Sequence, residues 1–240
     1  MNIGDMGVPF IYQGEELIYP NPVKDGLVLW YDFSGMTNDD ESKGIAKDLS
    51  GNGNHGTLQN FNFTPESGYD KNKLLFDSTD DYITLTNFPP YNKFTILMTL
   101  EVDNTGENVQ MFLGGNPETI YIRKMGINLE GSTPSTTGQQ INKVYNVFGD
   151  SEKTLVNVGV RLDYTKGTQD LLVNGEIKAS FDVGINPEQT FGLYRIGKWT
   201  QLSYTSLLGS IQSMQVYNRP LTPEEIAHNY AIEKERFDIE

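Results

Sequence analysis

The run Phe94-Thr95-Ile96-Leu97-Met98-Thr99-Leu100-Glu101-Val102 alternates in the two-residue period of a strand with one face in a core. Runs of this kind recur over 27–33, 73–76, 82–86, 109–113, 119–123, 143–148, 155–162, 169–173, 191–196 and 208–217. Turn-forming residues separate them at the spacing of a β-sandwich. Their apolar positions predict a core containing Leu29, Phe76, Ile96, Met98, Leu100, Val158, Val160, Leu172, Ile196, Ile211 and Val216. The strands at 27–33 and 208–217 are expected to pair or lie side by side, closing the domain from both ends. Between two such runs, Asn174-Gly175 predicts a two-residue type I′ hairpin, because both residues tolerate the positive φ that this turn demands.

One helix is predicted, over 223–236. Thr222 is suited to the N-cap, Pro223 to the first helical position, and Glu225 completes a capping box. Ile226 and Tyr230 share a face, with Phe237 near it, and that face is expected to pack on the edge of the sandwich. The stretch 131–140, rich in Ser, Thr, Gly and Pro and without periodicity, reads as a surface loop. Residues 1–25 differ from the rest. Pro9, Pro20 and Pro22 favour extended backbone, so this segment reads as an arm that either docks on another molecule or folds back on its own domain. Residues 26–240 form the sandwich proper.

Composition narrows the partners. Lys and Arg number 18 against 32 Asp and Glu, a net charge of −14. Such a surface repels phosphate backbones, which argues against nucleic acid. No apolar run approaches the ~18 residues of a membrane helix, and the N-terminus lacks a secretory signal pattern. There is no cysteine, so stability is expected from packing alone.

Four blocks carry a resemblance. They are Gly26-Leu27-Val28-Leu29-Trp30-Tyr31-Asp32-Phe33, Asp48-Leu49-Ser50-Gly51-Asn52-Gly53-Asn54-His55-Gly56-Thr57-Leu58, Leu75-Phe76-Asp77-Ser78-Thr79-Asp80-Asp81-Tyr82-Ile83, and residues 209–226 from Gly209-Ser210-Ile211 to Glu224-Glu225-Ile226. In this order they resemble laminin-G-like domains of the concanavalin A-like lectin/glucanase superfamily. The resemblance implies an all-β fold, a two-sheet antiparallel jelly-roll sandwich with a short C-terminal helix, and a binding module before an enzyme. The style of residues 26–61 is similar to domains in bacteriophage virion proteins of tails, fibres or capsid decoration. It implies a non-enzymatic virion structural protein, made in the host cytoplasm and released by lysis. The arm would join it to other virion proteins, alone or as an oligomer, and the sandwich would bind host cell-wall or surface polysaccharide or decorate the particle. A bacterial carbohydrate-binding module outside any virion is the alternative.

The loop at 48–54 mixes side-chain oxygens with glycines, as calcium sites do. The resemblance implies a structural Ca²⁺ near this loop and the last long strand, so Asp48, Asn52, Asp77 and Gln212 are the candidate ligands. Gln212 stands where the family frequently has an acidic residue. Asx-turns that fix the loop are the competing reading. His55 is expected to pack in that loop with one hydrogen bond, and His228 to face solvent on the helix. For glycan binding, Trp199 and Tyr204 lie in a loop after Tyr194 and Arg195, with Tyr121 and Arg123 as a second patch. Aromatic faces stack on sugar rings, and Arg binds hydroxyls. Glu101, Asp103 and Glu107 match the Glu-x-Asp-x-x-x-Glu pattern of laminarinase-type glycoside hydrolases. However, Asn104-Thr105-Gly106 breaks the continuous strand that would hold two carboxyl groups about 5 Å apart.

Overall fold

The computed structural model describes residues 2–3, 6–7, 11–13, 16–106, 108–116, 120–149, 151–199 and 206–240. Strands are numbered in chain order. One sheet runs β15 (Gly138–Val144), β14 (Asn128–Ser135), β13 (Tyr121–Met125), β12 (Val109–Asn116), β19 (Gly192–Ile196), β10 (Tyr82–Thr84), β7 (Gly56–Gln59), β6 (Ile45–Ala46). The other runs β18 (Glu176–Asp182), β17 (Thr168–Val173), β16 (Lys153–Asp163), β11 (Lys93–Asp103), β20 (Leu208–Tyr217), β9 (Lys73–Asp77), β8 (Gly68–Asp70). The strand β5 (Leu27–Asp32) also pairs with β20. It meets residues 213–217, whereas β9 meets 208–211, so β5 and β9 lie end to end along one side of β20. The pairing of the first and last predicted strands is therefore direct. The fold is the expected antiparallel two-sheet sandwich with one C-terminal helix, α1 (Pro223–Phe237).

The main core lies between the sheets, and every predicted core residue is buried. Leu172 is the exception in place. With Leu27, Trp30, Leu97, Tyr217, Leu221 and Ile226 it forms a second apolar cluster outside the two-sheet core. Val28, Leu29 and Tyr31 of β5 belong to the main core while Leu27 and Trp30 belong to this cluster, so β5 is buried on both faces. The helix begins as predicted, with Thr222 and Glu225 completing the capping box. Its buried residues are Ile226, Asn229, Glu233 and Phe237, two of them polar. Tyr230 is half-buried, and its ring lies 2.6 Å from where a Cβ on Gly175 would stand. The Asn174-Gly175 turn has φ of 48° and 77°, the two positive values that a type I′ turn requires.

The stretch 131–140 is not a loop. It is most of the hairpin β14–β15, whose residues pair without a break from Leu129↔Val144 to Ser135↔Gly138. Its inward positions are small or polar. Thr133 Oγ1 meets the Tyr164 hydroxyl at 2.6 Å, and Asn142 Nδ2 donates to Gln169 Oε1 at 2.6 Å. At Gly131 a Cβ would stand 2.6 Å from Leu171 Cδ2, so glycine lets the sheets approach. The strand predicted over 143–148 is accordingly shifted, to Gly138–Val144.

In residues 1–25, β1 (Asn2–Ile3) pairs with β2 (Met6–Gly7), and β3 (Ile11–Gln13) with β4 (Glu16–Tyr19). The root of the segment is fastened to the domain. Val23 N donates to Asn229 Oδ1 at 2.9 Å, the Tyr217 hydroxyl donates to Val23 O at 3.1 Å, and His228 Nε2 contacts Asn21 O at 3.1 Å.

Candidate functional site

The outward face of the β15–β6 sheet gathers the predicted aromatic and basic residues. Ile83, Leu113, Ile122 and Leu129 point into the core, so residues one position away point out. Register then sets a row across five strands: Thr84, Arg195, Gly114, Tyr121 and Ser132. A second row holds Met111, Arg123, Glu130 and Lys143.

Arg195 reaches this face through a bulge. Both Leu193 and Ile196 lie in the core, although three positions apart, because β19 slips register against β12 between Gly114 and Gly115. Tyr194 is the extra residue, and it turns outward with Arg195. The Arg195 guanidinium lies 4.5 Å from the ring centre of Tyr82 and 5.3 Å from that of Tyr194. Two strands away, Trp199 packs on Tyr121 with ring centres 4.6 Å apart, and the Arg123 guanidinium lies 4.7 Å from the Tyr121 ring centre. Between these groups lies Gly114, where a Cβ would meet nothing within 4 Å. On the other side of the sheet, a Cβ on Gly115 would strike Phe191. The result is a glycine floor flanked by Arg195 and Tyr121, each one strand spacing from it, roughly 10 Å apart in backbone.

The flanking residues differ in role. Tyr121 is buried and supports its neighbours, whereas Trp199 is half-buried and Tyr194 is exposed. Arg123 donates from Nε and Nη2 to Glu130 Oε2, at 2.9 and 2.7 Å, and Lys143 adds a 3.1 Å ion pair to the same carboxylate. Tyr204, the sixth predicted ligand-binding residue, lies outside the described residues. Tyr82 and Gly114 were missed, because only cross-strand register brings them here.

The four predicted calcium ligands do not come together. Asp48 is buried and its carboxylate is saturated from within. Oδ1 accepts from Trp30 N at 3.0 Å and Ser50 N at 2.9 Å, and Oδ2 accepts from Ser50 Oγ and Asn54 N, both at 2.9 Å. His55 Nδ1 accepts from Asp48 N at 3.0 Å, the single bond expected of it, and His228 is exposed on α1. Asn52 donates to Leu27 O, facing its amide nitrogen inward. Asp77 sits opposite Leu208, while Trp30, the partner of Asp48, sits opposite Gln215, seven residues further along β20 and so roughly 23 Å away. Gln212 is buried on β20 between them, its Nε2 on Ser210 Oγ. The 48–54 loop is thus an Asx-type knot, the competing sequence reading.

Asp77 instead joins Asp80 and Asp81. Their ligand atoms lie within 4.8 Å of one another, the one such group of three or more among the described residues. Asp81 is fully buried and accepts from Asp77 N at 3.0 Å. Burial pushes its carboxyl up to about 6; the Asp77 amide and the Ser67 hydroxyl oppose the rise, and the Asp77 and Asp80 charges add to it. A raised folded pKa means that Asp81 favours the fold below pH ~4 and withdraws that support as pH rises through 6. Melting temperatures from pH 4 to 7 should therefore fall more in the wild type than in Asp81→Asn, by on the order of 2 kcal/mol in stability. Parallel profiles would remove this assignment.

Glu101 and Asp103 share a face of β11, as alternation dictates. Glu101 is held by Lys73 and Lys153, each at 3.6 Å, and Asp103 Oδ1 accepts from Thr105 N and Oγ1. Glu107 lies outside the described residues.

Comparison with known families now places the fold. A laminin-G model described as concanavalin A-like lectin/glucanases superfamily matches residues 77–227, more than half of the chain. The chain belongs to the concanavalin A-like lectin/glucanase superfamily. No curated protein matches the sequence. Among solved structures, the concanavalin A-like domain is similar to Trypanosoma rangeli sialidase in complex with sialic acid, with a TM-score of 0.63 and 13% identity over 87% of this chain and 33% of that one. It is also similar to the botulinum neurotoxin serotype D binding domain, with a TM-score of 0.58 and 13% identity over 87% of this chain and 52% of that one. The receptor binding domain of the C/D mosaic serotype gives a TM-score of 0.59 at 13% identity, with the same coverage. The chain spans about a third to a half of the length of these structures, and at such identities the likeness is one of fold. Among the described residues, no helix is long and apolar enough to cross a membrane.

Proposed function

We propose that this concanavalin A-like domain is a non-enzymatic glycan-binding module and that its binding face is the outward side of the β15–β6 sheet around Gly114. The observation that carries the reading is the pairing of Trp199 on Tyr121 and Arg195 on Tyr82 and Tyr194 on either side of a floor left open by glycine. An open floor beside aromatic rings and the Arg195 guanidinium suits a pyranose, whose faces are apolar and whose edge carries hydroxyls. The named glycan and receptor contacts of the similar structures are in keeping with this reading.

The finer setting is a bacteriophage particle. It rests on the similarity of residues 26–61 to domains of virion proteins. In this setting the segment ahead of the Val23 anchor contacts other virion proteins, and the sheet face binds host-surface polysaccharide. A free bacterial carbohydrate-binding module would use the same face without the arm.

Binding is tested by sedimenting the full-length protein with host-cell wall polysaccharide. Trp199→Ala is expected to weaken binding about tenfold, equivalent to about 1.4 kcal/mol, with the melting temperature little changed. Removal of residues 1–18, ahead of the anchored root, is expected to leave binding intact and to abolish incorporation into particles. Undiminished binding in Trp199→Ala would move the site off this face. Binding lost with the arm alone would place it in residues 1–18.

A further inference from the structure

The chain has five arginines, and four of them are matched to carboxylates. Arg123 pairs with Glu130, Arg161 with Asp170, Arg219 with Asp25 and Glu225, and Arg236 with Asp32 and Glu233. The Arg195 side chain forms no ion pair and no hydrogen bond among the described residues. In a protein with a net charge of −14, carboxylates are abundant, so an unmatched arginine marks a place from which the protein's own acids are kept away. The position is also built. The β19 bulge turns Arg195 outward, Tyr82 and Tyr194 flank its guanidinium, and its Nε is sealed from solvent without an acceptor. Stacking on two rings fixes the plane of the group before any ligand arrives.

We infer that Arg195 is the anion-recognition residue of this face and that the preferred ligand is a saccharide bearing a carboxylate. With Nε sealed, the terminal Nη pair is the part left to meet a ligand, and its fork matches the two oxygens of a planar carboxylate. Gly114, directly across the strand pair from Arg195, leaves room for the sugar ring that carries the acid. Thr84, on the opposite strand, offers a hydroxyl in the same row. Arg123 cannot substitute, since Glu130 already takes its Nε and Nη2. The assignment rests on the glycan-binding reading of this face and adds the class of sugar.

The test uses full-length protein and three probes with one backbone: a galacturonate hexamer, the same hexamer after carboxyl reduction to galactose, and that neutral hexamer sulfated. Affinities are measured by calorimetry at low and moderate salt. The wild type is expected to prefer the galacturonate over the neutral hexamer by at least tenfold. Arg195→Gln should erase that preference, lowering the affinity for the galacturonate hexamer at least tenfold more than that for the neutral hexamer, and Arg195→Lys should restore only part of it. Equal binding of acidic and neutral hexamers would overturn the carboxylate assignment and leave the glycan-binding reading standing. A preference for the sulfated hexamer alone would overturn the planar-fork argument. Binding of none of the three by folded protein would overturn the assignment together with the reading beneath it. Circular dichroism of both variants, expected to melt as the wild type does, separates loss of recognition from loss of fold.

Discussion

Arg236→Ala is expected to destabilise the protein by about 3–5 kcal/mol, the penalty of leaving buried charges without their partner. The side chains of Arg236, Asp32 and Glu233 are all almost fully buried. Arg236 Nη1 stands 2.5 Å from Asp32 Oδ2 and 3.6 Å from Glu233 Oε1, so one cation holds two carboxylates. Burial pushes the Glu233 carboxyl up, Arg236 opposes the rise, and Asp32 adds to it; Ser213 and Thr99 also stabilise the ionised form by hydrogen bonds. Without Arg236 both buried carboxylates lose their cation, and the helix edge loosens. For a chain of this length the cost corresponds to a fall in melting temperature of roughly 10 °C. Glu233→Gln is the informative companion. It removes a buried charge while keeping an acceptor for Thr99 Oγ1, and should cost far less than the alanine variant at Arg236. Comparable losses from the two would mean that packing, not charge, holds α1 here.

The Asp48→Ala variant is expected to lose a similar amount, and by a different route. Four donors converge on this one carboxylate, two of them backbone amides from separate segments, Trp30 on β5 and Asn54 across the loop. Removing the acceptor strands them in a buried setting, and each such loss costs about 1–3 kcal/mol. Asp48→Asn retains one acceptor oxygen but presents an amide to donors on the other side, so it should fall between wild type and alanine. Thermal melts with and without EDTA decide the role. Loss in Asp48→Ala that is identical under both conditions supports the knot; a wild type that melts as low as Asp48→Ala once EDTA is added would restore a metal at Asp48.

Local chemistry was the legible part of this sequence. The Thr222–Glu225 cap and the Asn174-Gly175 turn are complete within a few residues, and both form as read. Strands with apolar inward faces, such as β11, β16 and β20, were legible for the same reason. The β14–β15 hairpin was not. Beyond Leu129 its inward positions include Gly131, Thr133 and Asn142, which meet Leu171, Tyr164 and Gln169 across the sandwich, so no sustained apolar alternation betrays it. The polar half of the α1 face was hidden likewise, because Asn229 and Glu233 are buried only through partners far away in the chain. At the candidate site, residue types pointed to Trp199, Tyr194, Arg195, Tyr121 and Arg123, but their grouping depends on register. In Leu193-Tyr194-Arg195-Ile196 simple alternation puts Arg195 with Leu193, and only the bulge separates them. The calcium set failed for a related reason. Motifs adjacent in the family pattern lie at opposite ends of β20.

The place of β20 also bears on how the chain matures as it leaves the ribosome. β20 pairs with β11, β5 and β9, and all three are made long before it. Until residues 208–217 emerge, β5 lacks its ladder partner and Trp30 and Tyr31 lack the strand that seats them. Until then the nascent chain holds an open sheet edge, the state most prone to pairing with a neighbour. Closure waits on residues 208–217, and a stop ahead of them would release a chain with its central seam unzipped rather than a slightly shortened domain.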